Sequence, residues 1–196
     1  MSNTKLENIL EKLSANPVIP CMDSYEEIFS SEYKDIRIIF FYNIGIFDLL
    51  EINKRNITAK KDIIIHIDSV RGISSDEEGA RFIKNYLNID IVSSTSPKMI
   101  NCFKKLGFIT IQSIFVVDTK SIAKGAQLIK AGRPDIVDMR PGILYPKASG
   151  ILPDALKDIP VICSGFISNK SELENILKHG AKGITSSKKE LWTLYL

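Results

Sequence analysis

The sequence predicts a small (β/α)8 barrel, and three observations lead there. Eight short, β-branched apolar runs alternate with segments whose apolar residues recur at helical spacing, the pattern of a parallel sheet covered by helices. The run Ile63-Ile64-Ile65 shows no polar alternation, which suits a strand buried on both faces. Polar and titratable residues recur at the C-terminal ends of the runs, where α/β folds place ligand chemistry. An open doubly wound sheet is the alternative. Its nucleotide signatures are missing: no GxGxxG follows the first strand, and no GxxxxGKS/T occurs. No linker interrupts residues 1–196, so one domain is expected.

Residues 1–15 read as an amphipathic helix leading into the barrel, with acidic residues that a signal peptide would lack. The expected strands are Val18–Met22, Ile36–Asn43, Ile63–Asp68, Ile89–Ser93, Ile109–Val117, Ile136–Met139, Val161–Ser164 and Gly183–Thr185. Helical spacing covers Ser24–Glu32, Phe47–Lys54, Ser75–Tyr86, Pro97–Leu106, Thr119–Ala131, Pro153–Leu156 and Ser171–His179, and the tail Lys188–Leu194 offers a last short helix. Ser75 with Glu78 reads as a capping box, Pro97 as a first-turn proline, and Ser171 as a start before Glu172 and Glu174. Gly107, Gly132 and Gly180 stand where helices end in a left-handed residue.

Composition narrows the function classes. Hydrophobic residues make up 44% and charged residues 25%, ordinary for a globular domain, and the net charge of +3 permits a phosphate-bearing partner without demanding one. The pairs Lys54/Arg55, Lys60/Lys61, Lys104/Lys105 and Lys188/Lys189 are scattered and read as solvated helix ends and loops. Cys21, Cys102 and Cys163 form no CxxC, which fits reduced thiols in a cytosol and no zinc site. The apolar stretch Ile38–Phe47 is far short of the about 20 residues that span a bilayer. No metal and no cofactor are expected. A Schiff-base aldolase needs a strand-end lysine, and none is seen. A metal phosphodiesterase needs clustered carboxylates and histidines, whereas the only histidines are His66 and His179.

The strand ends carry the candidate site. His66 and Asp68, two apart, are expected on one side of the third strand, either recognising ligand hydroxyls or ordering a polar mouth. Ser93-Ser94-Thr95-Ser96 before Pro97 reads as an anion site or as a cap. Gln112 interrupts the fifth strand. Asp138 and Arg140 share a side of the sixth, as a buried ion pair or a ligand clamp. Ser164-Gly165-Phe166 follows the seventh strand and Thr185-Ser186-Ser187 the eighth. In many barrels the loops after these two strands hold phosphate through backbone N–H groups near a glycine. A proton-transfer enzyme using His66 or Asp68 with Asp138 is the alternative to a binding role.

The segments HIDSVRGISSDEEGARFI, IVSS, IQSIFVVD, PDIVDMRPG and CSGFISNKSELENILKHGAKGITSSKKELW resemble the glycerol-3-phosphate-responsive antiterminators, over about Pro17 to Trp192. The resemblance implies a small TIM barrel, a bacterial cytosolic regulator rather than an enzyme, glycerol 3-phosphate as ligand, and leader mRNA of glycerol-utilisation genes as partner, with no membrane. It supports His66, Asp68, Gly72, Asp76, Gln112, Asp138, Pro141, Gly142, Gly165, Ile167, Thr185 and Ser186. Gly165, Thr185 and Ser186 would hold the phosphate, with His66, Asp68, Gln112 and Asp138 near the glycerol hydroxyls. The chain departs from the family pattern at strand ends where arginine is usual: Pro20-Cys21-Met22-Asp23, Ser93–Ser96 and Gln112-Ser113 carry none, while Arg140 adds one. Serine cannot replace arginine on a phosphate, so the alternative to glycerol 3-phosphate sensing, beside an enzyme, is a divergent sensor of another small phosphorylated metabolite.

Overall fold

The computed structural model describes residues 2–196. Eight parallel strands run in chain order around a closed barrel. They are β1 (Val18–Met22), β2 (Ile38–Phe41), β3 (Asp62–His66), β4 (Ile91–Ser94), β5 (Ile109–Phe115), β6 (Ile136–Arg140), β7 (Val161–Ser164) and β8 (Gly183–Ser186). Pairing of Ile19 with Thr185 between β1 and β8 closes the ring. The helices are α1 (Ser2–Ala15), α2 (Ile46–Lys54), α3 (Glu77–Tyr86), α4 (Pro97–Lys105), α5 (Thr119–Gly132), α6 (Tyr145–Ala148), α7 (Asp154–Lys157), α8 (Lys170–Lys178) and α9 (Lys189–Trp192).

Strand alternation divides the core in two. One phase, Ile19, Ile38, Phe40, Ile64, Ile91, Ile109, Ile111, Ile136 and Ile162, fills the barrel, and Ile9 and Leu13 of α1 join it. The other phase, including Ile39, Ile65, Val92, Ile114, Val137 and Ile184, packs under the helices. Each fully buried aliphatic side chain contributes about 1.5–3 kcal/mol. The aromatic run is mostly internal: Phe40, Phe41 and Trp192 are buried, while Tyr42 is half-exposed.

Local details differ from expectation. β3 stops at His66, and Ile67–Ser69 forms a 3-10 turn. β2 and β4 are also shorter than predicted. Ser24–Glu32 is not an α-helix but two 3-10 turns, Tyr25–Phe29 and Ser31–Tyr33, separated by the extended Ser30. Asp76, not Ser75, caps α3 by accepting from the Gly79 N–H at 2.8 Å, and Asn169 caps α8 ahead of Ser171. Ser96 caps α4 with Pro97 in its first turn, as predicted. Gly107 and Gly180 take the left-handed conformation, but Gly132 lies inside α5 and Arg133 takes it instead. Gly132 is needed for space: a Cβ there would fall 2.1 Å from Gln112 Oε1.

Candidate functional site at the barrel mouth

Where the inward phase of isoleucines ends, it continues as a polar layer of His66, Ser93, Ser113, Asp138 and Ser164, all buried. Buried polar groups must find partners, and these find one another. His66 Nδ1 lies 3.1 Å from Ser93 Oγ, which lies 3.3 Å from Ser113 Oγ. Ser113 donates to Asp138 Oδ2 at 3.0 Å, and Ser164 donates to Oδ1 at 2.6 Å. The network thus laces β3 through β7. Arg140 Nε donates to Asp138 Oδ2 at 2.5 Å, so the two charges are a buried, hydrogen-bonded pair.

His66 and Asp68 do meet, but not by strand alternation. Asp68 sits in the turn after β3, with Oδ2 3.7 Å from His66 Nε2. Its carboxylate accepts from Ser94 Oγ at 2.6 Å, Thr95 N–H at 2.7 Å and Thr95 Oγ1 at 2.8 Å. Burial alone would raise its pKa, but these bonds and His66 hold it below the usual range. Burial, then the Arg140 charge, lowers the His66 pKa below 6.5, so the imidazole is neutral at pH 7. The Tyr42 ring stacks on it at 4.8 Å.

Beside this layer a cavity of about 350 Å³ opens between the loops that follow β7 and β8. Ser164, Gly165, Phe166, Ile167 and Ser168 line one wall, and Thr185, Ser186, Ser187 and Lys188 another. Cys21, Phe40, Tyr42 and Arg140 face them. Gly165 (φ +94°) and Phe166 (φ +59°) are both left-handed, which reverses the chain at the cavity edge. Thr185 Oγ1 is buried at the wall with no hydrogen-bond partner among the described residues. The Ser186 hydroxyl is committed elsewhere, donating to the Ile167 carbonyl at 3.2 Å and accepting from the Lys188 N–H at 3.1 Å. Trp192 Nε1 holds the Ser186 carbonyl at 2.8 Å, so the tail braces the β8 loop. The Cys21 thiol is pushed up to about 11 by burial and then by Asp23, leaving it protonated.

The structure therefore gathers Arg140, Ser164, Gly165, Phe166, Thr185, Ser186 and Ser187 around one volume, with His66 and Asp138 in the adjoining layer. Gln112 departs from expectation. It points out of the barrel, its Nε2 3.4 Å from the Leu128 carbonyl of α5, because it is in phase with Thr110 and not with Ile111 and Ser113. Gly72, at φ +85°, shapes the β3–α3 loop, and Arg71 ties that loop to Asn43 at 2.7 Å. A Cβ on Gly142 would fall 2.9 Å from the Ser164 nitrogen, so Pro141-Gly142 presses the β6 loop against β7. The sequence reading missed Ser113 as an inward residue, and Cys21, Phe40, Tyr42 and Lys188 as cavity walls. Phase would have found Ser113, two residues after the inward Ile111. Among the described residues, no group of three His, Cys, Asp or Glu could hold a metal ion, and no helix is long and apolar enough to cross a membrane.

The sequence profile of a family described as glycerol-3-phosphate responsive antiterminator matches residues 18–192. The chain belongs to that family. Among solved structures, the glycerol uptake operon antiterminator regulatory protein of Listeria monocytogenes is 25% identical with a TM-score of 0.81, over 90% of this chain and 95% of that one. A glycerol uptake operon antiterminator-related protein of Thermotoga maritima is 27% identical, TM-score 0.75, over 90% and 97%. Protein YgcP of Escherichia coli is 26% identical over 95% of this chain and 96% of its own length. The antiterminator family supports a regulatory role for this barrel. In its mouth Arg140 supplies a cation where the neighbouring strand ends, Met22-Asp23, Thr95-Ser96 and Ser113, supply none.

Proposed function

We propose that the protein is a regulator that senses glycerol 3-phosphate in the mouth cavity and, when loaded, acts on leader RNA of glycerol-utilisation genes to let transcription pass a terminator. The observation that carries the ligand assignment is the orphaned Thr185 hydroxyl at the wall of a cavity that also holds the Arg140 guanidinium. A buried hydroxyl calls for a hydrogen-bond partner, and a phosphate oxygen at this wall would supply one. The phosphate would lie against the Gly165-Phe166 turn and Thr185, near Arg140 and Lys188. The glycerol hydroxyls would face Ser164 and Tyr42. A three-carbon phosphate ester is small enough for about 350 Å³.

The polar layer supports binding over catalysis. Asp138 already accepts from Ser113, Ser164 and Arg140, and Asp68 from Ser94 and Thr95. His66 is covered by Tyr42. A proton-transfer role would have to dismantle these bonds, so the protein is read as a sensor without turnover, working in the cytoplasm. The ligand can favour an RNA-binding form only through its differential affinity for that form.

Calorimetric titration with glycerol 3-phosphate, with glycerol and inorganic phosphate as controls, tests the ligand. Saturable binding of the ester alone is expected, and a folded protein that binds none of them refutes it. Fluorescence anisotropy of leader RNA with and without the ester then tests gating, for which tighter binding in its presence is expected.

A further inference from the structure

Basic residues are not spread evenly around the barrel. Between Ile91 and Pro134 stand seven Lys/Arg (Lys98, Lys104, Lys105, Lys120, Lys124, Lys130, Arg133) against the single acid Asp118. The whole chain has 26 Lys/Arg and 23 Asp/Glu, which leaves 19 basic and 22 acidic residues everywhere else. The protein is thus net acidic apart from this segment. Asp118 is occupied in capping α5, accepting from the Ser121 N–H at 2.7 Å.

The fold turns the segment into a surface. α4 docks on the C-terminal end of α5, with Asn101 Nδ2 donating to the Ala131 carbonyl at 2.8 Å and Lys104 Nζ to the Arg133 carbonyl at 2.7 Å, so that the basic helix faces belong to one side of the barrel. Lys104 is spent on Asp135 at 2.8 Å. Lys98, Lys105, Lys120, Lys124, Lys130 and Arg133 are exposed, and among the described residues none of them forms an ion pair. Lys98 and Lys105 are seven apart on α4, and Lys120 and Lys124 four apart on α5, so each pair shares a face of its helix. Elsewhere several exposed cations are ion-paired, as in Arg81 with Glu77, Lys54 with Glu51 and Lys189 with Glu27, while others such as Lys34, Lys60, Lys178 and Lys182 form no ion pair among the described residues and stand on separate faces.

We propose that the α4–α5 face, through Lys98, Lys105, Lys120 and Lys124, is the surface that takes the phosphate backbone of single-stranded RNA. The proposal rests on the regulator reading above and adds where the RNA sits. A face on which lysines outnumber the single acid Asp118 fits a polyanion, whose binding is driven by counterion release. The face is also the one fed by β4 and β5, whose ends Ser93 and Ser113 form the middle of the network running to Asp138 and Ser164 at the cavity.

The test compares two full-length variants of equal charge. One carries Lys98→Gln, Lys105→Gln, Lys120→Gln and Lys124→Gln. The control carries Lys34→Gln, Lys60→Gln, Lys178→Gln and Lys182→Gln, all exposed on other faces. Anisotropy is read with a labelled mixed-sequence single-stranded RNA in saturating glycerol 3-phosphate across a salt series, and calorimetry with the ester checks each fold. The face variant should lose at least about tenfold in RNA affinity and flatten the salt slope by about two or more, while the control stays near wild type. Equal losses in both variants, or an unchanged face variant, overturn the assignment of this surface and leave the regulator reading standing. A wild-type protein that binds no RNA at any salt refutes the regulator reading itself, and this inference with it. Binding of the wild type to phosphatidylserine vesicles but not to RNA, lost in the face variant, overturns the choice of partner.

Discussion

Arg140 Nε donates to Asp138 Oδ2 at 2.5 Å, inside the barrel mouth, with the arginine side chain 13% exposed and the aspartate 1%. Asp138 is therefore the hub, since Ser113 and Ser164 also donate to it. Removing one partner of such a pair strands the other charge without its bonds. Asp138→Ala is expected to cost about 3–5 kcal/mol in urea unfolding. Arg140→Met should cost clearly less, because two serines still satisfy the carboxylate. Equal costs for the two variants would contradict the hub.

Arg140→Met should nevertheless be the more damaging change for ligand. Its guanidinium lies 5.4 Å from the Tyr42 ring and 5.9 Å from the Phe40 ring and is bonded to Asp138 at the cavity wall, whereas Lys188 is exposed and forms no ion pair among the described residues. Loss of a charge-assisted bond of about 1.5–3 kcal/mol weakens binding roughly 10–100-fold. Calorimetry on the folded variant measures it, with Arg140→Lys expected to recover only part of the loss, because a lysine lacks the planar fork.

The barrel was legible because its signals are repeated. Eight apolar runs in phase with eight polar ends leave few arrangements, and the seventh and eighth ends do meet at one cavity. Illegible parts were those set by single contacts. Gln112 is the conspicuous polar residue of β5 and so suggests the mouth, yet phase puts Ser113 there and Gln112 under α5. The end of β3 at His66 is not legible locally, because the bonds that hold Asp68 in a turn come from Ser94, 26 residues later, and its neighbour Thr95. The basic excess of residues 91–134 is legible in the sequence as a count, but that it belongs to two neighbouring helices follows only from the docking of α4 on α5.

The turn at the cavity edge makes two opposite demands. Gly165 at φ +94° meets no atom nearer than 3.7 Å where a Cβ would be, so Gly165→Ala fails on backbone conformation and not on space. It should cost about 1–2 kcal/mol and weaken ligand binding as the loop shifts. Phe166 holds φ +59° and the residue is 78% exposed. Phe166→Asn places a residue that tolerates this region where little is lost by removing the ring, and should be neutral or stabilising by up to about 1 kcal/mol. Paired urea melts decide both.

His66 gives the stability a pH dependence of definite sign. Burial and then Arg140 lower its pKa in the fold below the unfolded value of 6.5, so between the two values the unfolded chain binds more protons. Stability is full above 6.5 and falls as the pH drops below it, levelling off below the folded value. Asp68 acts in the same direction further down, its contribution fading as the pH falls below 3.8. The urea midpoint should therefore drop between about pH 7 and pH 5 in the wild type and much less in His66→Gln. A flat wild-type profile would mean that the imidazole is free to charge in place.

Gln112 and Gly132 offer the sharpest separation of packing from binding. Gln112 Oε1 is buried without a partner among the described residues, and it occupies the space that a Gly132 Cβ would need, at 2.1 Å. Gly132→Ala alone overpacks this point and should cost about 1–3 kcal/mol, even though alanine is the better helix former. Gln112→Ser empties the space, so the double variant should be more stable than the sum of the single changes implies, a coupling of about 0.5–3 kcal/mol in a double-mutant cycle. Gln112→Met keeps the volume and removes the orphaned acceptor, so it should be close to neutral in stability. Because the side chain lies under α5, Gln112→Met should also leave glycerol 3-phosphate affinity unchanged. A large loss of affinity with intact stability would put Gln112 back in the mouth.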